Sequence, residues 1–157
     1  MKLSSTVYGP PSRASALAVA LALVVALGGC RLKDTDEAPG AVPAPPDVAA
    51  PPADAQRTSS GLASKMLRVG VGQARPSRRS LATVNYTGWT TDGTMFETNT
   101  GVTFRVDEVI PGWTEGLQLM VVGEKRRFWI PAHLAYEGMP DRPQGMLVFD
   151  IELLTVR

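Results

Sequence analysis

The sequence predicts an α+β domain over residues 61–157, in which an antiparallel sheet of five or six strands folds over one short helix. Several segments in this range alternate between apolar and polar residues, which is the period of a half-buried strand. Only one segment has the longer period of an amphipathic helix. All three tryptophans, all four phenylalanines and five of the six methionines of the 157-residue chain also lie here, so the range can form a hydrophobic core.

The strands are predicted from alternation. In LVFDIELLTV, residues 147–156, apolar side chains alternate with Asp150 and Glu152. The same period recurs in ATVNYTGW, KRRFWI and VTFRVDEV, and TTDGTMF places an Asp-Gly turn before a strand, which indicates a hairpin. Trp89 and Trp129 are expected to be outward-facing or rim residues of this sheet, without a role in a site.

One helix is predicted over residues 112–120. Three apolar residues there share a face at helical spacing, namely Trp113, Leu117 and Met120. Pro111 suits the first helical position, since the N–H that it lacks has no partner there. Gly123 is expected to stop the helix.

Residues 1–29 have the features of a bacterial lipoprotein signal peptide. Lys2 and Arg13 precede an unbroken apolar run over residues 16–27, which is short for a transmembrane helix. LGGC, ending at Cys30, resembles the lipobox, and the resemblance implies that Cys30 is lipidated and becomes the new N-terminus. An ordinary cleaved signal with an incidental cysteine is the alternative. Because Arg31 rather than aspartate follows, the resemblance implies an outer-membrane location facing the periplasm if the cell is Gram-negative.

Residues 30–60 are interpreted as the lipidated cysteine followed by a tether. The segment is rich in proline, alanine and aspartate and lacks aromatic residues, so it offers little apolar surface to offset its ordering entropy. Its prolines favour an extended, semi-rigid chain that holds the domain off the membrane. A proline-rich ligand for another protein is the alternative.

Composition excludes several kinds of site. The formal net charge is +1, and no basic run is dense enough to predict nucleic-acid binding. One cysteine and one histidine cannot assemble a Cys/His zinc site, so neither a metal nor a cofactor is predicted. His133 is expected to be a partly exposed polar residue at the end of a strand.

Five blocks, in order and with matching spacing, resemble FKBP-type peptidyl-prolyl cis–trans isomerases. They are VNYTG from Val84, DGTMF from Asp92, VIPGWTEGL from Val109, IPAHLAY from Ile130 and LVFDIELL from Leu147. The resemblance covers residues 58–157 and implies a half-barrel sheet wrapped around the helix, with a ligand pocket between them.

The resemblance also implies site residues. Trp113 is expected to be the floor of the pocket, with Tyr86, Phe96 and Phe149 as walls. The implied rim and polar contacts are Val109, Ile110 through its N–H, and the hydroxyl of Tyr136. Val102 stands where many members have an aromatic wall residue.

Three departures from the family pattern concern this site. Glu97 replaces the usual aspartate after Phe96, and no arginine follows it to form a supporting ion pair. The loop over residues 137–146 is also shorter than is common in the family, and Met139 is expected to fill part of the missing wall.

The leading hypothesis is therefore a lipid-anchored peptidyl-prolyl isomerase of the cell envelope. It would act on proline-containing unfolded or nascent envelope proteins, and a macrolide is an implied ligand. The alternatives are a low-activity binding module or chaperone of the same fold and a purely structural lipoprotein. Without the long N-terminal helical segment by which some family members dimerise, a monomer is favoured.

Overall fold

A computed structural model describes residues 40–157 of the chain. Within this part, six strands form a single antiparallel sheet. They are β1 (Gln56–Arg57), β2 (Ala63–Arg68), β3 (Leu81–Thr90), β4 (Met95–Arg105), β5 (Lys125–Ile130) and β6 (Leu147–Val156). Their order across the sheet is β1-β2-β5-β6-β3-β4, which confirms the predicted α+β class and antiparallel sheet.

The helix α1 runs over Pro111–Leu119, and a short 3-10 helix runs over Ala132–Leu134. As predicted, proline opens α1, and the preceding Ile110 carbonyl accepts hydrogen bonds from the N–H groups of Trp113 and Thr114 at 2.9 and 3.0 Å. The helix ends one residue earlier than predicted, because Met120 is already extended. Gly123 instead takes a φ of 85° in the turn that leads into β5.

The predicted Asp-Gly hairpin joins β3 to β4. Gly93 has a φ of 91°, and its N–H donates to the Thr90 carbonyl at 3.0 Å. The Asp92 carboxylate accepts the Thr94 N–H at 3.0 Å, so the side chain closes the turn that the sequence indicated.

The main core lies between α1 and the inner face of the sheet. Helix and sheet approach closely at Gly116, where an added Cβ would lie only 2.7 Å from Cε1 of Phe128. On the opposite side, the Thr114 hydroxyl donates to the Val106 carbonyl at 2.6 Å. These contacts set the height of α1 above the sheet and therefore the depth of any cavity beside it.

A second core lies on the outer face of the sheet, under residues 42–55, here called the N-terminal segment. Trp89 and Trp129 do face outward, but they are only 2% and 1% exposed because Val48 and neighbouring alanines cover them. The sequence predicted a tether over residues 30–60 and a domain that begins at 61. The described part of that range instead packs on the sheet, and β1 pairs with β2.

Polar contacts hold the N-terminal segment in place. The indole N–H groups of Trp89 and Trp129 donate to the carbonyls of Val42 and Asp47 at 3.0 and 2.9 Å. The Asp47 carboxylate also pairs with Arg127. Arg127 in turn forms a two-pronged pair with Asp150, at 2.6 and 2.9 Å. The segment therefore docks both through apolar contacts with the two indoles and through these hydrogen bonds and ion pairs.

The predicted signal peptide, the lipidation site at Cys30 and the first part of the predicted tether lie outside the described residues. Over residues 40–157, no helix is long and apolar enough to cross a membrane.

Candidate active site

A cavity of about 480 Å³ opens between α1, the inner face of the sheet and the loop that follows the 3-10 helix. Aromatic and aliphatic side chains form most of its wall, and a few polar groups stand at its mouth. It is lined by Tyr86, Glu97, Phe104, Glu108, Val109, Ile110, Pro111, Trp113, Ala135, Tyr136, Met139, Arg142 and Phe149.

Trp113 lies at the centre of the aromatic residues of the cavity. Its ring meets those of Tyr86, Phe149 and Phe104 at centroid distances of 4.9, 5.3 and 5.8 Å, each nearly perpendicular. Edge-to-face contacts of this kind stabilise the cluster beyond the area that they bury. The first turn of α1 therefore places a buried aromatic ring in the wall of the cavity.

The indole N–H of Trp113 is buried and has no hydrogen-bond partner among the described residues. An unpaired buried donor costs about 1–3 kcal/mol. The position of Trp113 in the cavity therefore has an energetic cost, because aromatic rings rather than hydrogen-bond acceptors surround its indole.

Phe96 supports the cavity from behind and does not line it. Its ring packs edge-on against Phe149 at 5.4 Å. Gly88 makes room for this pair, since an added Cβ there would lie 2.7 Å from both rings. The residue predicted as a wall therefore positions the wall formed by Phe149.

Val102 does not line the cavity, and Phe104 takes the place expected for it. Val102 lies opposite Val84 in the β3–β4 pairing, whereas Phe104 pairs with Ala82 and contacts the rings of Trp113 and Tyr86. The long β4 carries its wall residue two positions farther along than the resemblance implied. Alternation places Val102 and Phe104 on the same face of β4. Phe104 is also the only aromatic residue on that strand after Phe96, so the sequence pattern could have identified it as the wall residue.

Glu97 forms a polar network at one wall. The Tyr86 hydroxyl donates to a Glu97 carboxylate oxygen at 2.6 Å, and the Asn99 amide donates to both groups at 2.9 and 3.3 Å. The longer glutamate thus reaches a tyrosine partner, and Asn99, which sequence reasoning missed, supplies a neutral donor in the absence of an arginine.

The surroundings of Tyr86 and Tyr136 raise the pKa of both hydroxyls. Burial, followed by the hydrogen bond to Glu97, raises the pKa of Tyr86 to about 12. Burial also raises the pKa of Tyr136, with a further increase from the negative charge of Glu97 and an opposing effect of Arg142. Both hydroxyls are therefore neutral donors at physiological pH.

The short loop contributes to the mouth of the cavity through Met139, which is 53% exposed, and through Arg142. The Arg142 guanidinium lies 5.4 Å from the centre of the Tyr136 ring. The Gln144 amide donates to the carbonyls of Met139 and Arg142 at 2.6 and 2.8 Å, so the loop is internally braced. Nothing in the sequence pattern had indicated Arg142, because its approach to Tyr136 depends on how this loop folds back.

The structure thus brings eight of the ten predicted pocket residues to one cavity. They are Tyr86, Glu97, Val109, Ile110, Trp113, Tyr136, Met139 and Phe149. His133 is exposed outside it, and its Nε2 lies 3.0 Å from the Ser60 carbonyl oxygen. In residues 40–157, no group of three or more histidine, cysteine or acidic side chains is arranged to hold a metal ion.

Two curated proteins are similar to this chain over about 106 residues each. The chain is 44% identical over 106 residues to the FKBP-type peptidyl-prolyl cis-trans isomerase FkpA of Aeromonas hydrophila, with 63% of this chain and 39% of the relative covered. It is 42% identical over 106 residues to the outer membrane protein MIP of Legionella longbeachae, with 62% and 45% covered. The chain thus spans about two fifths of the length of these curated relatives.

The crystal structure of FkpA from Escherichia coli is similar, with a TM-score of 0.63 and 38% identity, covering 68% of this chain and 53% of that one. The family model for FKBP-type peptidyl-prolyl cis-trans isomerase matches residues 72–154, which contain the helix, the residues that line the cavity, the strands β3, β4 and β5, and most of β6. The chain therefore belongs to the FKBP-type peptidyl-prolyl cis-trans isomerase family.

Proposed function

We propose that this domain accelerates cis–trans rotation of X–Pro bonds in proteins of the cell envelope. The observation that carries the proposal is the aromatic cavity floored by Trp113, which is large enough for a proline ring and its neighbours. Aromatic and aliphatic side chains form most of its wall, and its tyrosines hold their protons at physiological pH. Such a cavity suits a reaction that requires removal of water rather than transfer of a proton.

The physical basis is the change in polarity along the reaction. Amide resonance imposes a barrier of about 18–20 kcal/mol on rotation. The twisted transition state has lost that resonance and is less polar than the planar bond, so an apolar site binds it more tightly than the ground state. A difference of about 4–6 kcal/mol shortens an isomerisation of minutes to milliseconds.

Two groups would orient the peptide. They are the Ile110 N–H, which precedes the first turn of α1, and the Tyr136 hydroxyl, and both residues line the cavity. Phe149 and Tyr86 would enclose the proline ring above Trp113. Glu97 would act as a positioning residue, because its carboxylate accepts the hydrogen bond of the Tyr86 hydroxyl and so fixes the orientation of that ring.

A protease-coupled assay on X–Pro peptides tests the proposal. We expect Trp113→Leu and Phe149→Ala each to reduce kcat/KM at least about tenfold, equivalent to about 1.4 kcal/mol. Leu81→Ala, which truncates an exposed aliphatic residue away from the cavity, is the control for general effects of substitution. Unchanged activity in both cavity variants would rule out this cavity as the site.

The same measurements distinguish the isomerase from a second candidate function, which is a low-activity binding module or chaperone for proline-containing segments. It is favoured by the exposed Arg142 at the cavity mouth, which gives the site a charged contact for binding outside the proline subsite. Peptide binding that is lost in Trp113→Leu, without rate acceleration by the unmodified protein, would support this candidate over the enzyme.

The location in the envelope belongs to the same proposal. It rests on the signal-like residues 1–29 and on Cys30, and one relative is by name an outer membrane protein. Mass spectrometry of the mature protein is expected to show a diacylglyceryl modification that Cys30→Ala abolishes. A macrolide is expected to raise the melting temperature, and gel filtration of the unlipidated chain is expected to give a monomer. Recovery of unmodified Cys30 from membranes would contradict the anchor.

A further inference from the structure

One end of the sheet carries an exposed aliphatic patch that has no part in the cavity. Val69 is 72% exposed and Val71 is 96% exposed, on the loop that leaves β2. The half-buried Val121 and Val122, on the turn that follows α1, adjoin this loop. These four residues are called the valine patch.

The backbone of the loop holds the patch in place. The Gly72 N–H donates to the Val122 carbonyl at 3.0 Å, and the Val122 N–H donates to the Ala74 carbonyl at 3.2 Å. A Cβ at Gly70 would lie 2.6 Å from Cγ2 of Val121, and one at Gly72 would lie 2.9 Å from Cβ of Val122. The glycines therefore let the loop lie flat on the turn, while the valine side chains between and before them remain in solvent.

The segment that carries the patch is basic in sequence, although Glu152 faces Arg68 and the charge of Arg78 acts on Asp107. Residues 55–91 contain six basic and no acidic residues, although residues 40–157 contain twelve of each. Arg68 lies beside the patch, with Nη2 3.4 Å from the Gly123 carbonyl oxygen, and pairs with Glu152. Arg75 donates to the Leu119 carbonyl at 2.5 Å, and Arg78 and Arg79 follow in the same loop with exposed side chains.

We propose that the valine patch and these arginines dock on an anionic lipid bilayer. Short aliphatic side chains can enter the interface between headgroups and acyl chains, while guanidinium groups contact the lipid phosphates. A protein partner is less favoured, because protein interfaces depend on aromatic anchors that fill pockets, and the patch has neither. The predicted anchor at Cys30 would strengthen a weak contact of this kind by holding the domain near the membrane. The inference does not depend on isomerase activity.

Vesicle co-sedimentation with unlipidated residues 31–157, which contain the whole described unit, tests the proposal. We expect binding to phosphatidylglycerol vesicles to exceed that to phosphatidylcholine vesicles and to fall with added salt. Val69→Ser combined with Val71→Ser should lower the partition coefficient about tenfold or more, because buried aliphatic area is lost. Arg78→Gln combined with Arg79→Gln should lower it about tenfold on the anionic vesicles alone.

Matched controls come from the cavity mouth. Met139→Ser and Arg142→Gln remove an exposed apolar side chain and an exposed positive charge elsewhere, and they should leave the partition coefficient within about twofold. Thermal unfolding establishes that each variant is folded. Equal binding to the two vesicle types, or binding unchanged by the paired valine substitutions, would overturn the proposal. If those substitutions instead weaken binding of an acidic unfolded protein and not of vesicles, the patch is a protein-docking surface and the lipid proposal fails.

Discussion

Removal of the Asp47 carboxylate distinguishes a docked N-terminal segment from a free tether. Asp47 pairs with Arg127, whose side chain is 11% exposed, and the Asp47 carbonyl accepts the Trp129 indole N–H. In Asp47→Ala the backbone contact remains, and Arg127 keeps its two-pronged pair with Asp150. A hydrogen bond to a charged group contributes about 1.5–3 kcal/mol, so with these compensations we expect a loss of about 1–2 kcal/mol.

Asp54→Ala provides the matched control, because it removes the same charge from the same segment. Asp54 pairs with Lys65, but their side chains are 67% and 38% exposed. Solvent and salt screen exposed pairs of this kind, so we expect Asp54→Ala to leave the midpoint of urea unfolding nearly unchanged. Asp150→Ala should cost more, about 3 kcal/mol, because it removes both prongs of the pair with a guanidinium that is only 11% exposed and leaves it with the more exposed Asp47 alone.

Urea unfolding of residues 31–157, followed by tryptophan fluorescence, measures all three variants. Trp89 and Trp129 lie under the N-terminal segment, so their emission also reports whether it is docked. The expected order of destabilisation is Asp150→Ala, then Asp47→Ala, then Asp54→Ala. If Asp47→Ala is no more destabilising than Asp54→Ala and the emission shows exposed indoles, the segment is not docked and the tether interpretation is correct.

Three further outcomes follow from the cavity. Phe104→Ala should lower kcat/KM about three- to tenfold in the peptide assay, because the edge contact of Phe104 with Trp113 is lost. Val102→Ala should change kcat/KM less than twofold in the same assay. Equal effects of the two substitutions would contradict the assignment of Phe104 to the cavity wall. Gly116→Ala should destabilise the domain by about 1–3 kcal/mol in urea, because the new Cβ would meet Phe128, and a neutral result would refute the close approach of α1. The pKa of Tyr86 is raised to about 12 in the folded state, so the stability that this shift contributes is fully present below pH 10 and is lost as the pH rises towards 12. The free energy of unfolding, measured from pH 9 to 12, should therefore fall more steeply for the unmodified protein than for Tyr86→Phe. Parallel curves for the two proteins would contradict the shift.

Local sequence rules determined most of the secondary structure. Pro111 sets the start of α1, the Asp-Gly turn closes the β3–β4 hairpin, and alternation identifies the faces of β5 and β6. These features depend on dihedral preferences and on residues a few positions apart, which a sequence displays directly. The resemblance to a family added the set of residues around Trp113, since it carries spatial information that periodicity lacks.

The tertiary structure decided what covers each face and which residues meet. Alternation showed that Trp129 points away from the inner core, but only the contact of Arg127 with Asp47, 80 positions earlier, shows that the outer face is buried as well. Likewise, the choice between Val102 and Phe104 depends on the register of two long strands, and the position of Arg142 depends on how its loop folds back over Tyr136. The sequence by itself therefore determined the helix, the strands β3 to β6 and their faces, and its resemblance to a family indicated most of the cavity residues. Pairings between distant segments decided the rest, because their stability comes from buried contacts that exist only once the chain has folded.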